Sequence, residues 1–155
     1  MSTATTTAVH VRWMIRRDLE RVLAIENDSF EFPWREDDFV WCLKHRNNIG
    51  MVAEHGERIM GFVMYELAKT HLRILNFAVD SRFRRQGVGT VMIDKLKAKL
   101  YEQRRNRLLL EVRDSNLPGQ LFFRSQGFRA VNVLRGYYPD TEDDAYAFAF
   151  RLEGR

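Results

Sequence analysis

The stretch from Leu72 to Leu100 limits the fold more than any other part of the chain. Leu72–Val79 has strand character, with Ile74, Leu75, Phe77 and Val79 among its eight residues. It passes through a polar, arginine-rich connection, Asp80–Gln86, into Gly87-Val88-Gly89-Thr90. A segment follows in which Val88, Met92, Leu96 and Leu100 recur every fourth residue. Strand, glycine turn and amphipathic helix in that order demand an α/β packing, with the helix laid on a sheet. The helix start is also suited to an anion. Its first N–H groups lack intrahelical partners, the macrodipole is positive there, and glycines at 87 and 89 remove Cβ atoms that would hold off a bulky diphosphate. Arg84 and Arg85 add charge beside it.

The rest of the chain extends this pattern. Val9–Ile15 alternates as an opening strand, and Arg16–Asn27 places Leu19, Val22, Leu23 and Ile25/Glu26 at helical spacing. A second helix is predicted over Arg35–Lys44, carrying Phe39, Val40 and Leu43. The connection between them, Phe30-Glu31-Phe32-Pro33-Trp34, holds more apolar area than a loop normally needs. Ile49–Ala53 and Ile59–Leu67 form a hairpin about His55-Gly56-Glu57-Arg58. Leu108–Val112 is a buried strand, and Asn116-Leu117-Pro118 opens a helix that Gly127 closes. Phe128–Leu134 and Ala145–Leu152 are the last strands, joined by Arg135–Asp144. The expectation is an α/β fold with a mixed sheet. With no repeat or linker, it is a single domain over 9–155 behind a flexible start at 1–8.

Composition removes several classes. A chain of 155 residues with 45% apolar and 12% aromatic content can build a core, so global disorder is excluded. One cysteine, Cys42, makes no internal disulfide and no multi-cysteine metal site; it reads as a buried apolar residue. His45, His55 and His71 lack metal-ligand spacing, so no metal is expected. Charges interrupt every long apolar window, and the Ser/Thr/Ala-rich start has no secretory character. The expectation is a soluble cytoplasmic monomer with no membrane association. The net charge of +4 is mild, but Arg82, Arg84, Arg85, Lys95, Lys97, Lys99, Arg104, Arg105 and Arg107 crowd together. Such a cluster suits a phosphate-bearing cofactor, nucleic acid or an acidic partner, and equally a solvated helix face.

The glycine turn is neither a P-loop, which needs Gly-Lys-Ser/Thr, nor a Rossmann fingerprint, which needs three glycines after the first strand. What remains is Arg/Gln-x-x-Gly-x-Gly/Ala. Four patches around it, in order, resemble the GNAT acetyltransferases, and within them the RimI-type ribosomal-protein alanine N-acetyltransferases. They are Phe30–Trp34; Asn76–Asp80 running into Arg84–Gly89; Leu110–Asn116; and Tyr137-Tyr138-Pro139 with Glu142–Ala145.

The resemblance implies a mixed, mostly antiparallel sheet of about seven strands flanked by about four helices. It implies acetyl-CoA as cosubstrate, its arm lying where the fourth strand splays from the fifth. Phe77, Ala78 and Val79 would meet that arm through their backbone, with the Val79 amide as oxyanion donor. Arg84, Arg85, Gln86, Gly87, Val88, Gly89 and Thr90 would hold the pyrophosphate. Asn116 would contact the cofactor, serve as a plain helix cap, or do both.

Glu111 matches the family's general base. It interrupts a buried apolar run, where an ionised side chain is costly unless it is paired or functional, and Arg113 on the same strand face is a ready partner. The family's usual proton donor, a tyrosine on the helix after Asn116, falls at Phe123, with Phe122 beside it. Neither donates a proton, so Tyr138 is taken as the substitute, with Tyr137 or water as alternatives, and lining a peptide groove is the other reading of both tyrosines. Phe32, Trp34 and Tyr137 resemble the walls that grip a protein N-terminus, although Phe32 and Trp34 also suit a hydrophobic staple. Glu142, Asp143 and Asp144 suit either a basic peptide or a solvated turn.

The leading expectation is therefore transfer of acetyl from acetyl-CoA to a protein N-terminal amine, alanine of a ribosomal protein by resemblance, in a ternary complex. The same motifs fit a GNAT enzyme acetylating a small amine or lysine. They also fit a catalytically silent module that binds acetyl-CoA or RNA.

Overall fold

The computed structural model describes residues 8–153; the predicted flexible start lies almost wholly outside them. Seven strands form one sheet in the order β1-β2-β3-β4-β5-β7-β6. They are β1 (His10–Trp13), β2 (Asn48–His55), β3 (Arg58–Leu67), β4 (Leu72–Val79), β5 (Arg107–Arg113), β6 (Arg129–Tyr138) and β7 (Asp143–Arg151). Among the described residues four α-helices cover it: α1 (Leu19–Ser29), α2 (Glu36–Lys44), α3 (Val88–Glu102) and α4 (Leu117–Ser125). No helix among the described residues is long and apolar enough to cross a membrane.

Each face of the sheet has its own core. The four-apart residues of α3, with Ile93, pack on Ile74, Leu108 and Leu110 and meet Phe123 and Phe128. On the other face Val22 and Ile25 of α1 and Phe39 of α2 cover Val52, Phe62 and Met64. Cys42 is buried in this second core, as its apolar reading required.

Two irregularities position the site. All strand pairs are antiparallel except β4–β5, which are parallel and pair only at Leu72↔Leu108 and Arg73↔Leu109. Beyond Arg73 the two strands separate. The second irregularity is a bulge. Met64 faces Asn76 while Tyr65 faces Ile74, so Leu75 is the extra residue. A bulge reverses the alternation of faces. Leu72 and Ile74 therefore share the α3 core with Phe77 and Val79, and Leu75 and Ala78 turn to the other core.

Two expectations change. The first turn of the predicted helix from Arg16 is 3-10 helix, Arg16–Asp18, because Asp18 uses its carboxylate on the Ile15 N–H and on Arg12. The predicted loop Arg135–Asp144 is mostly strand: β6 runs to Tyr138 and β7 begins at Asp143. Its glycine and carboxylates, which read as loop composition, build an irregular hairpin end. Gly136 takes a positive φ of 58°, and the Asp144 carboxylate accepts the Gly136 N–H at 2.8 Å and Arg135 at 2.9 Å.

Candidate active site

Where β4 leaves β5, a cleft of about 440 Å³ opens. One side is the second half of β4; the others are β5 from Leu110, the start of α4, and the aromatic loop after α1. The Asp80 N–H bonds Met60 O on β3. Alternation along the strand then turns the Phe77 and Val79 amides to the opposite edge, away from β3, and Phe77 lines the cleft. The Phe77 N–H is covered by Asn76 Oδ1 at 2.9 Å. Ala78, expected with them, points its backbone at β3 and its side chain into the second core.

The glycine turn follows directly. Arg85 and Gly87 both take left-handed φ values, 64° and 82°. The first α3 bond joins the Val91 N–H to Gly87 O, so the N–H groups of Val88, Gly89 and Thr90 precede any intrahelical partner. A Cβ on Gly87 would meet nothing within 4 Å, which leaves that backbone open for a phosphate. Gly89 has a different reason. A Cβ there would sit 2.9 Å from the Phe122 ring, so this glycine lets α3 pack on Phe122. Arg84 and Arg85 are both exposed, and Arg84 is engaged, its Nε donating to Val79 O at 3.1 Å and its Nη2 to Ser29 Oγ. Gln86 donates to Arg82 O, and Thr90 Oγ1 accepts from Gln126. Asn116 is a helix cap, Oδ1 accepting the Gly119 N–H at 3.1 Å, and it also lines the cleft.

Glu111 faces the cleft, but Arg113 is not its partner. Arg73, from the last paired position of β4, reaches Glu111 Oε1 at 2.5 Å and the Tyr137 hydroxyl at 3.2 Å. Tyr137 in turn donates to Glu111 at 3.5 Å. Arg113 instead bonds Asp143 at 3.0 Å and Thr141 at 2.7 Å. Its guanidinium lies 3.8 Å from the Tyr138 ring centre and 4.7 Å from that of Phe32, pinning the two aromatic walls together. Asp144 is taken up by Arg135, so of Glu142, Asp143 and Asp144 the two aspartates are already paired.

The aromatic residues divide by role. Trp34 packs edge-on to Phe39, 5.0 Å between centres, and belongs mainly to the second core, as a staple would. Phe32 is 42% exposed at the cleft mouth. Phe123 is buried against Phe77, Phe122 and Phe128 and has a side in the cleft. Tyr138 lines the cleft, and burial pushes its hydroxyl up to about 12, so it keeps its proton at any physiological pH.

Two residues of the site carried little sequence signal: Glu26, which lines the cleft, and Arg73, which reaches it through Glu111. Arg73 is one exposed-looking arginine on a strand. Glu26 sits on the apolar face of α1 and is only 1% exposed; a carboxylate at that helical spacing was the one clue. Its oxygens accept the Trp34 N–H and Asn76 Nδ2, both at 2.8 Å. A larger open depression beside the β2–β3 hairpin is lined by Arg12, Arg17, Arg21, Arg58 and Arg82; of the candidate residues only Gln86 borders it. Among the described residues no group of three His, Cys, Asp or Glu could hold a metal.

The arrangement offers an amide edge, a carboxylate braced by an arginine and a protonated phenol at one cleft, and, beyond the end of β4, a turn open to phosphate. Residues 12–128 match the Acetyltransferase (GNAT) family. The chain is 30% identical over 137 residues to the [ribosomal protein bS18]-alanine N-acetyltransferase of Escherichia coli K12, covering 87% of this chain and 92% of that one. The crystal structure of the ribosomal-protein-S18-alanine N-acetyltransferase from Escherichia coli superposes with a TM-score of 0.83 at 25% identity, covering 95% and 96% of the two chains. Ard1 from Thermoplasma volcanium superposes with a TM-score of 0.84 at 29% identity, covering 94% and 98%.

Proposed function

The chain belongs to the GNAT acetyltransferase family, and from that premise we propose that it transfers acetyl from acetyl-CoA to the N-terminal α-amine of a protein, with alanine of a ribosomal protein as the acceptor. One observation carries the reading. β4 and β5 part after Arg73 and Leu109, which sets the amides of β4 opposite Glu111 and Tyr138 beneath the aromatic loop. The likeness to alanine N-acetyltransferases along almost their whole length supports the choice of acceptor.

In this reading the turn from Arg85 to Thr90 holds the pyrophosphate, with Gly87 giving the closest approach, and Asn116 borders the cofactor arm. Arg84 acts by fixing Val79 O. The peptide enters between Phe32 and Trp34 on one side and Tyr137 and Tyr138 on the other. An α-amine has a pKa near ~8, so at neutral pH much of it is protonated and needs a base. Glu111, directly or through water, takes that proton, while Arg73 and Tyr137 fix its orientation. The amine nitrogen bonds to the thioester carbonyl carbon, and the Val79 N–H receives the charge that grows on the carbonyl oxygen. The C–S bond then breaks, and Tyr138 supplies the proton that the thiolate takes up. The acylated nitrogen gives its second proton to water, solvent restores the Tyr138 hydroxyl, and the net products are the amide, the free thiol and the one proton taken by Glu111.

The test is incubation with acetyl-CoA and a peptide carrying an N-terminal alanine and an internal lysine, with the acetyl group located by mass spectrometry. Acetylation at the α-amine is expected. Label on lysine alone overturns the choice of acceptor, and no transfer to any N-terminus with acetyl-CoA bound points to a silent module. Glu111→Gln is expected to lower kcat by about 10²–10⁴-fold while leaving acetyl-CoA binding intact. Unchanged turnover removes Glu111 as the base.

A further inference from the structure

We propose that Glu26 is a positioning residue that couples the two substrates' binding, tying the aromatic loop that receives the peptide to the β4 edge that receives acetyl-CoA. The inference rests on the reading of the cleft given above and adds to it a residue that touches no reacting atom.

The case begins with burial. An ionised carboxylate removed from water costs several kcal/mol unless its oxygens are fully used. Glu26 is almost wholly buried on the face of α1 that otherwise carries Leu19, Val22 and Ile25, where a leucine would pack without that cost. Its hydrogen-bond partners among the described residues are two neutral donors, the Trp34 backbone N–H and the Asn76 amide. Burial pushes its carboxyl above the ordinary range, and those two bonds work against the push.

The chain of bonds has a fixed polarity. A carboxylate only accepts, so Asn76 must turn its NH₂ toward Glu26 and its Oδ1 away. That oxygen is the one covering the Phe77 N–H at the edge of the cleft. The sequence Trp34 N–H to Glu26, Asn76 to Glu26, Phe77 N–H to Asn76 thus runs unbroken from the peptide wall to the cofactor edge. Every donor in it has one acceptor, and no link can be reversed alone. A cofactor that orders the β4 edge therefore orders the Trp34 loop through Glu26, and occupancy of one side favours the other.

Glutamine breaks the chain with almost no change of shape. In Glu26→Gln the new NH₂ faces either the Trp34 N–H or the Asn76 NH₂. In the second case Asn76 can flip, but it then turns a donor onto the Phe77 N–H. One backbone amide loses its acceptor either way. The double variant Glu26→Gln/Asn76→Asp repairs the polarity. The side-chain amide now at position 26 would accept from Trp34 and donate to the carboxylate now at position 76. That carboxylate would accept the Phe77 N–H, and the total charge is unchanged.

The experiment measures by calorimetry the affinity of an alanine-starting peptide for the full chain, with and without saturating CoA. In the wild-type protein CoA is expected to tighten the peptide by about 5–150-fold, the usual size of coupling between sites. In a folded Glu26→Gln variant that ratio is expected to fall to about one, and in the double variant to return. Asn76→Ala cuts the chain while leaving the Trp34 bond, and it stands in where Glu26→Gln does not fold; it too should lose the ratio. A wild-type ratio kept in either folded single variant overturns the proposal, because a merely structural Glu26 would change the melting temperature and not the ratio. Wild-type turnover with uncoupled binding overturns this inference alone. Absence of any acetylation by the wild-type protein overturns the site reading as well.

Discussion

Phe123 stands where the family resemblance calls for a tyrosine, and its buried ring carries no proton to give. The hydroxyl that lines the same cleft belongs to Tyr138. Burial holds that hydroxyl protonated up to about 12, which suits a donor that must not lose its proton to solvent first. Tyr138→Phe is therefore expected to lower kcat by about 10²–10⁴-fold, and Phe123→Tyr in that background to recover part of the loss. Steady-state rates on the peptide check both. The pH profile of the wild type follows from the same residue. Activity should rise through about pH 8 as the acceptor amine loses its proton. It should then hold level to about pH 10, because Tyr138 titrates only above that; a fall between about 9 and 10 would remove Tyr138 as the acid. Asp18 decides behaviour at the acid end. Hydrogen bonding to Arg12 holds its carboxyl below the ordinary 3.8. A folded-state pKa below the unfolded one gives stability that is complete above 3.8 and is lost as pH falls through the lowered value. Asp18→Asn should abolish that acid-side loss and cost about 3 kcal/mol at neutral pH, since it leaves the part-buried Arg12 with Glu54 as its one remaining carboxylate. Urea unfolding between about pH 3 and pH 7 measures both effects.

At the scale of elements, the two glycines of the turn look alike in sequence and differ in structure. Gly87 needs its left-handed φ and opens onto empty space, whereas Gly89 is ordinary helix crowded by Phe122. Gly89→Ala should cost about 1–3 kcal/mol by overpacking, visible as a lower melting temperature. Gly87→Ala should cost about 1–2 kcal/mol of backbone strain and in addition weaken acetyl-CoA binding, because its Cβ enters the space left for phosphate. Titration with acetyl-CoA separates them. Equal affinities in the two variants would mean that Gly87 is not where phosphate approaches. Local pattern made α3, α4 and the β2–β3 hairpin readable, since apolar spacing, the Asn116 cap and the Gly127 stop act within a few residues. It misread β6, because a glycine and three aspartates look the same in a loop and in a bulged hairpin end. Glu111 could be singled out from its buried surroundings, but its partner could not. Arg73 lies 38 positions away, and a strand pairing chooses it over the nearby Arg113.

For the molecule as a whole, the parting of β4 from β5 divides the sheet into β1–β4 and β5–β7, held together by two residue pairs and the core beneath α3. No local pattern encodes that division. It arises because the bulge at Leu75 and the turn after Val79 carry β4 away from a strand whose own partner is β7. A split sheet leaves backbone amides without a ladder, and a ligand lying along β4 replaces the missing strand. Acetyl-CoA should therefore act as a structural bridge as well as a donor. Held at 100 times its Kd, it should add about 2.7 kcal/mol to stability. For a chain of this length that is a rise of about 5–11 °C in melting temperature. The protection should be local. Hydrogen exchange should slow at Val79 and across Arg85–Thr90, while amides of β2 paired on both sides change little. Uniform slowing across the sheet would mean that acetyl-CoA stabilises the fold without lying in the gap, and slowing confined to 85–90 would place the phosphates there but not the arm.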